Sequence, residues 1–306
     1  MIQKPPNDIH NSNNPLVSII IVTYNSGKFI LETLESAKTQ SYKNVELIIS
    51  DDCSSDNTIK ICEEWIKANR AYFINCIIVT TPVNTGIPAN CNRGLNAAQG
   101  VWIKILAGDD MFYQDCIQSN IDYTSQNNNI KFLFSKVDFL INEPAIKYGQ
   151  DIPLIDLEFY NATPKYQHEL LVEGSKKAYV PAATGFLNKQ TLIDLSGFDE
   201  EIQLCEDYPM WMKATKNNIK LYFMDKKTVW YRVHEESIMG SRSLRYEQSM
   251  KKVFFKYRFK FLLRKRPFFA IDLFFRNISR TSLFWSRTTN LLLPSTYISW
   301  LKIKLK

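Results

Sequence analysis

The sequence predicts an α/β fold built on a largely parallel sheet, and three observations predict it. Leu16 to Val22 (LVSIIIV) and Val45 to Ser50 (VELIIS) are β-branched-rich runs of strand length, the pattern of strands covered on both faces. Between such runs the apolar residues fall at helical spacing, as in Ile30, Leu34 and Ala37, or Ile59, Cys62 and Ile66. Acids then collect at element ends: Asp51–Asp52 closes the second strand run, Asp109–Asp110 closes VWIKILAGDD, and Glu206–Asp207 opens a later helical pattern. Open α/β sheets build their ligand sites at strand ends of this kind.

The elements follow in order. After the first strand, Thr23-Tyr24-Asn25-Ser26-Gly27 is turn chemistry. Ser55 or Asp56 can cap the helix after the second strand. Ile74 to Thr80 reads as a third strand, stopped at Pro82. Gly86 opens a helix through Ala98, and Gly100 punctuates before the strand Val101 to Leu106. Right-handed crossovers place the ends of these strands on one edge, so Thr23, Asp51, Asp52, Asp109 and Asp110 converge. Residues 111–140 read as a helix and a strand (Lys131 to Leu140), and 141–178 as irregular, with Pro144, Pro153, Pro164 and Gly174. Strands are expected at Tyr179 to Asn188, Ile219 to Met224 and Thr228 to Val233, and a helix at Glu206 to Lys216.

Composition is that of a globular protein, 45% hydrophobic and 23% charged over 306 residues, enough for one sizeable core. Charge is unevenly spread. From Lys251 onward fourteen lysines and arginines face the single acid Asp272, a formal +13, so the rest of the chain carries −6 of the total +7. Six cysteines show no CxxC spacing, which fits a reducing compartment. The N-terminus lacks the apolar stretch of a signal peptide, and no run of about 18 apolar residues exists.

Adjacent carboxylates at the end of an apolar strand need compensation for lost hydration, and a divalent cation is the usual partner. Four segments then carry a resemblance: VSIIIVTYN, IISDDCSSDNT, NTGIPANCNRGLNAAQG and VWIKILAGDD. In this order they resemble the nucleotide-binding half of family 2 glycosyltransferases, which have the GT-A fold, a mostly parallel, Rossmann-like sheet with helices on both faces. SGFDEEIQLCEDYPMWMKA resembles the acceptor half and VWYRVHEES a segment that closes the site. The implied organisation is a disordered 1–14, a transferase domain over 15–240 (nucleotide half 15–110, acceptor half 111–240), and a basic, amphipathic, helical C-terminal region over 241–306.

The resemblance also implies roles. Thr23 and Tyr24 border the nucleotide, with Asn92 on the same side. Asp52 accepts from the uracil N3–H, a task for an acceptor-only carboxylate. Asp109 lies by the ribose and diphosphate and, with Asp110, at the metal, Mn²⁺ or Mg²⁺, whose hard oxygen ligands suit it. Asp207 is the general base toward the acceptor hydroxyl in an inverting displacement. His234 is a third metal ligand or a diphosphate contact, with Arg232 helping; a packing histidine is the bland alternative. Two departures stand out: the usual Asp-x-Asp-Asp is Ala107-Gly108-Asp109-Asp110, and Cys91 stands where many relatives carry Arg, with Arg93 its neighbour.

The tail interleaves bases with Phe, Leu and Trp, a composition suited to an anionic membrane surface; a helix packed on the body with a solvated basic face is the alternative, and nucleic acid is disfavoured by the acidic body. The implied enzyme is a hexosyltransferase using a UDP-sugar, with Glc or Gal favoured and GlcNAc admitted. Its acceptor is a polyprenyl-diphosphate-linked sugar for bacterial O-antigen or a related surface glycan, with β-1,3 transfer onto GlcNAc-diphospho-undecaprenol the narrowest form. The implied place is the cytosolic face of the inner membrane. The rival is a catalytically silent UDP-sugar-binding scaffold, motivated by Ala107; a nucleotidyltransferase ranks below it. A dinucleotide oxidoreductase ranks low, since the first strand-turn has no GxGxxG.

Overall fold

β1 (Val17–Thr23) and β2 (Val45–Asp51) pair in parallel at the heart of one eight-stranded sheet, with Thr23 opposite Asp51. Their alternating side chains feed two cores. Ile20 and Ile48 point to one face, where Cys91 and Leu95 of α3 (Ile87–Ala97) cover them. Ile19, Ile21, Leu47 and Ile49 point to the other, against α1 (Ile30–Lys38) and α2 (Thr58–Asn69). Each such side chain, removed from water, contributes roughly 1.5–3 kcal/mol. The computed structural model describes residues 14–141, 154–234 and 244–279.

The sheet order places β3 (Cys76–Val79) outside β2, and β4 (Trp102–Ala107) on the other side of β1. These four strands are parallel, as expected. Beyond β4 the sheet becomes mixed. β5 (Met111–Phe112) and α4 (Cys116–Ser125) follow the acid loop, and β6 (Phe132–Ile141) comes next in the chain. β7 (Phe186–Asn188) joins β4 to β6, pairing antiparallel with both. β8 (Leu221–Val233) runs parallel to β6 and antiparallel to β5.

Several sequence expectations change here. The two strands expected over 219–233 are one, with a register irregularity opposite Ser135–Val137. The strand expected at Tyr179 to Asn188 shortens to its last three residues, because Ala182–Thr184 forms a 3₁₀ turn. The stretch read as irregular holds α5 (Leu157–Asn161) and α6 (Pro164–Glu173). Thr163 caps α6 at Tyr166 N, Pro164 occupies its first turn, and Gly174 ends it in a left-handed conformation at φ +71°. α7 (Lys189–Asp194) follows β7, and α8 (Asp207–Lys216) leads into β8.

The C-terminal part is helical, as expected: α9 (Leu244–Val253), a π-helical segment Phe254–Arg258, α10 (Phe259–Lys265) and α11 (Pro267–Ser279). Its apolar face is not left open to solvent. Val253, Phe254, Leu262 and Ala270 are buried in the same core as Met210 and Trp211 of α8. Arg258 donates to the Val172 and Glu173 carbonyls at the end of α6, and Arg266 pairs with the Glu173 side chain, cations placed where a helix C-terminus favours them. The helix packed on the body, the alternative in the sequence reading, is thus present. Phe268, Leu263, Phe255, Phe269 and Phe275 remain exposed on its outer side. Among the described residues no helix is long and apolar enough to cross a membrane. The expected disorder of 1–14 falls, Asn14 apart, outside the described residues.

Candidate active site

The loops after β1, β2 and β4 meet because each carries a polar residue the others can satisfy. Thr23 Oγ1 donates to Asp51 Oδ1 at 2.8 Å, and Asp51 also accepts from Ser54 N and Oγ. Asn25 Oδ1 accepts from Ser55 N, and Asp56 Oδ2 from Gly27 N. Asn25 and Cys53 adopt left-handed backbone, at φ +52° and +66°, where the chain reverses. Gly108 lets the acid loop close on this knot: a Cβ there would lie 2.8 Å from Ser26 Oγ and 2.9 Å from Thr23 Cγ2. Thr23 is therefore buried and committed to Asp51, while Tyr24 is exposed at the mouth.

Asp52 is buried, and both its oxygens are engaged. Thr85 donates N at 3.0 Å and Oγ1 at 2.6 Å, Gly86 donates N at 2.8 Å, and Arg93 Nη2 lies at 3.3 Å. Arg93 further reaches the Asp51 carbonyl, Asn90 Oδ1 and Thr85 Oγ1. The longest of the Asp52 contacts is the Arg93 one, so a nucleobase N–H meeting this carboxylate would compete there first.

Asp109 and Asp110 face different ways. Asp109 Oδ2 meets His234 Nε2 at 2.9 Å on the more open side. The buried Asp110 carboxylate accepts the Arg232 backbone N–H at 2.8 Å, and its carbonyl accepts from Thr33 of α1. Burial, then the neighbouring Asp109, raise the proton affinity of Asp110 well above the carboxylate range, against the pull of Arg232. The Arg232 guanidinium is itself buried: Nε donates to the Asp109 carbonyl, Nη2 to Glu32, and its face lies 4.5 Å over the Phe29 ring. Phe29 also packs on His234, ring centres 5.0 Å apart. Phe29 and Glu32 had no signal in the sequence beyond standing at the start of α1.

Asp109, Asp110 and His234 thus neighbour one another without converging on one point, and among the described residues no group of three such ligands is arranged to hold a metal. The donor chemistry still suits one. A carboxylate oxygen and an imidazole nitrogen stand side by side, backed by a second, buried carboxylate. Asp109 and His234 are the pair that fits a cation whose remaining ligands come from elsewhere.

Asn92, expected beside the nucleotide, is hydrogen-bonded to the 197–206 loop. Its amide accepts from Phe198 N at 2.8 Å and donates to the Phe198 carbonyl at 2.9 Å and Glu200 Oε1 at 2.7 Å. Gly197, at φ +60°, makes room: a Cβ would stand 2.6 Å from Asn92 Oδ1. Ile87 N donates to the Gln203 carbonyl beside it. These bonds tie α3 to the 197–206 loop, which delivers Glu206 and Asp207 at the start of α8. Asp207 Oδ1 accepts from Tyr208 N at 2.6 Å and from Cys205 Sγ at 3.5 Å. Burial raises the proton affinity of Asp207, and burial plus Asp207 push Glu206 to about 8. Cys91 lies between the two ends of the site: burial, then Glu206, Asp207 and Asp52, hold its thiol protonated.

Residues 18–190 match the family model Glycosyl transferase family 2. Among curated relatives, the Escherichia coli protein "UDP-Glc:alpha-D-GlcNAc-diphosphoundecaprenol beta-1,3-glucosyltransferase WfaP" is 27% identical over 229 residues, 74% of this chain and 81% of the relative. The Bacillus subtilis "putative teichuronic acid biosynthesis glycosyltransferase TuaG" is 24% identical over 244 residues, 80% of this chain and 88% of the relative. Staphylococcus aureus TarS 1-349 in complex with UDP-GlcNAc superposes with a TM-score of 0.62 at 20% identity, covering 86% of this chain and 81% of that one; its complex with UDP aligns over 63% of that chain. The mannosyltransferase PcManGT from Pyrobaculum calidifontis, in complex with GDP-Man and Mn²⁺, gives 0.60 at 18% identity, covering 83% and 67%. The chain belongs to glycosyl transferase family 2; it is a glycosyltransferase, and its mixed sheet has the GT-A fold.

Proposed function

We propose that this family 2 glycosyltransferase moves a hexose from a UDP-sugar to a lipid-linked sugar acceptor, with inversion, in the assembly of a bacterial surface polysaccharide. Glucose or galactose is the favoured hexose, and β-1,3 transfer onto GlcNAc-diphospho-undecaprenol is the narrowest form of the reading. The observation that carries it is the Glu206–Asp207 pair, held at the start of α8 and clamped by Asn92 and Gln203 to the half that bears Asp52 and Asp109. The activity named for the E. coli relative supports the choice of donor and acceptor.

Asp207 takes the proton of the acceptor hydroxyl as that oxygen bonds to the anomeric carbon. The bond from the anomeric carbon to the diphosphate breaks, and UDP leaves with the electron pair. A carboxylate is ordinarily too weak a base for this; burial strengthens Asp207, while the helix start keeps enough of it ionised. Tyr24, exposed at the mouth, offers its ring to the nucleobase, and Asp52 accepts the nucleobase N–H as its Arg93 contact loosens. Asp109 and His234 would hold Mn²⁺ or Mg²⁺, and Asp110 with Arg232 fixes the loop behind them. When bound, such an ion stabilises charge on the departing diphosphate.

The exposed Phe255, Leu263, Phe268, Phe269 and Phe275, on helices rich in lysine and arginine, supply a face for an anionic membrane on which a lipid-linked acceptor would reside. The test is UDP release from a panel of UDP-sugars with a synthetic GlcNAc-diphospho-lipid, with and without Mn²⁺, beside Asp207→Asn. Acceptor-dependent release from one donor, lost in the variant, supports the reading. Release that survives Asp207→Asn, or that ignores the acceptor, sinks it.

A further inference from the structure

The 197–206 loop is held from two sides, and its second clamp comes from the C-terminal helices. Ser249 of α9 accepts from Leu204 N at 3.3 Å. One turn on, Lys252 donates to the Glu201 carbonyl at 2.7 Å. In the π-helical segment Lys256 reaches Glu201 Oε2 at 2.8 Å and Asp199 Oδ1 at 3.0 Å, and Tyr257 donates to Asp199 Oδ2 at 2.6 Å. As the helix number rises from 249 to 257, its loop partner falls from 204 to 199. The two segments therefore run antiparallel. The extra residue of a π-helical turn re-aims side chains, and here Lys256 and Tyr257 both land on Asp199.

Extending that register one turn the other way directs Tyr246, three residues before Ser249 and on the same face, toward the end of the loop at 205–207. Its phenol responds to the groups there: burial, then Cys205, Asp207 and Glu206, raise its proton affinity. The half-buried Tyr246 is thus set, by the register of α9 on the loop, on the side of the carboxylate pair. Cys91 from α3, Cys205 from the loop and Tyr208 from α8 are the other titratable groups that face it.

We infer that α9 is part of the active site, with Tyr246 a positioning residue that closes the acceptor side of the Glu206–Asp207 pair and keeps water from it. The inference rests on the reading of Asp207 as the base. It gives the basic C-terminal region a role in turnover: the helices that would meet a membrane also hold the loop that carries the base.

The experiment compares Tyr246→Ala, Tyr246→Phe and Asp207→Asn with the full-length enzyme. One readout is the pH profile of UDP release from UDP-glucose with the GlcNAc-diphospho-lipid; the other, free of substrate, is Tm against pH. Water entering beside the pair in Tyr246→Ala lowers its proton affinity. The acid limb of kcat then moves at least about half a pH unit lower, kcat falls roughly tenfold, and donor KM stays within about twofold. The fall of Tm between pH 5 and 8 becomes shallower, which turnover does not influence. Tyr246→Phe, which keeps the ring, stays near wild type in both. A Tyr246→Ala enzyme with unchanged Tm slope and unchanged acid limb, beside an inactive Asp207→Asn, overturns the inference while leaving the base in place. Turnover surviving in Asp207→Asn overturns the base itself, and with it the catalytic role of Tyr246.

Discussion

His234 Nε2 lies 2.9 Å from Asp109 Oδ2, joining the end of β8 to the acid loop across 125 residues of chain. The Phe29 ring packs on both the imidazole and the Arg232 guanidinium, which holds the histidine at the loop. Replacing His234 by Ala removes a nitrogen beside the carboxylate without touching the core. The expected result is a rise of roughly tenfold in the Mn²⁺ concentration needed for half-maximal UDP release. An unchanged metal titration together with an unchanged donor KM would return His234 to the status of a packing residue.

How much of this was legible in the sequence follows from burial. β1 and β2 could be read because both faces are covered, which leaves an unbroken apolar run. The mixed half resisted for the opposite reason: β5 has two residues, β7 three, and β8 exposes Asp225, Lys226 and Lys227 in its middle. Pro164 and Gly174 were visible as breakers yet mark the start and stop of α6. At the site, the acids at strand ends were legible as neighbours in sequence. Their partners were not, since Arg232 meets Asp110 and Phe198 meets Asn92 only through the fold.

Asn92 provides a direct contrast between nucleotide contact and loop clamp. Asn92→Ala removes three hydrogen bonds to Phe198 and Glu200, and strands the Phe198 backbone groups in a half-buried setting. The cost is about 1–3 kcal/mol of stability. Because the loop carries Asp207 rather than the nucleotide, kcat falls about tenfold, while UDP affinity by calorimetry stays within about twofold. A large loss of UDP affinity with kcat preserved would put Asn92 at the nucleotide instead.

Arg93 is the cation that faces Asp52, at 3.3 Å, with side-chain exposures of 19% and 4%. Arg93→Ala leaves a buried carboxylate with only Thr85 and Gly86 donors, a loss of about 2–4 kcal/mol by urea unfolding. Arg93→Lys recovers less than half, since one ammonium cannot replace four contacts spread over Asp51, Asp52, Thr85 and Asn90. Full recovery by Lys would show that charge alone matters there.

Gly108 stands where a methyl group has no room, 2.8–2.9 Å from Ser26 and Thr23 atoms. Gly108→Ala forces the acid loop off the β1 turn at a cost of about 1–3 kcal/mol. The displacement also shifts Asp109, so metal-dependent UDP release suffers more than metal-independent UDP binding. Comparing the two by calorimetry and turnover separates misplacement from plain unfolding.

Glu206 offers the sharpest pH prediction, because burial and Asp207 hold its proton affinity at about 8, far above an unfolded glutamate. Below about pH 4.5 folded and unfolded chains both carry the proton, and the group is neutral to stability. Between about 4.5 and 8 the folded chain keeps a proton that the unfolded chain releases, so stability from this group falls as pH rises, then levels off above 8. Glu206→Gln cannot ionise and escapes that loss. Its stability advantage over wild type is therefore absent near pH 4.5, grows up to about pH 8, and stays constant above it, reaching at least about 1 kcal/mol by denaturant unfolding. With Asp207 as the proposed base, the acid limb of kcat remains in the variant, since glutamine imitates a protonated glutamate beside an ionised Asp207. An advantage independent of pH would mean that packing, not ionisation, separates the two side chains.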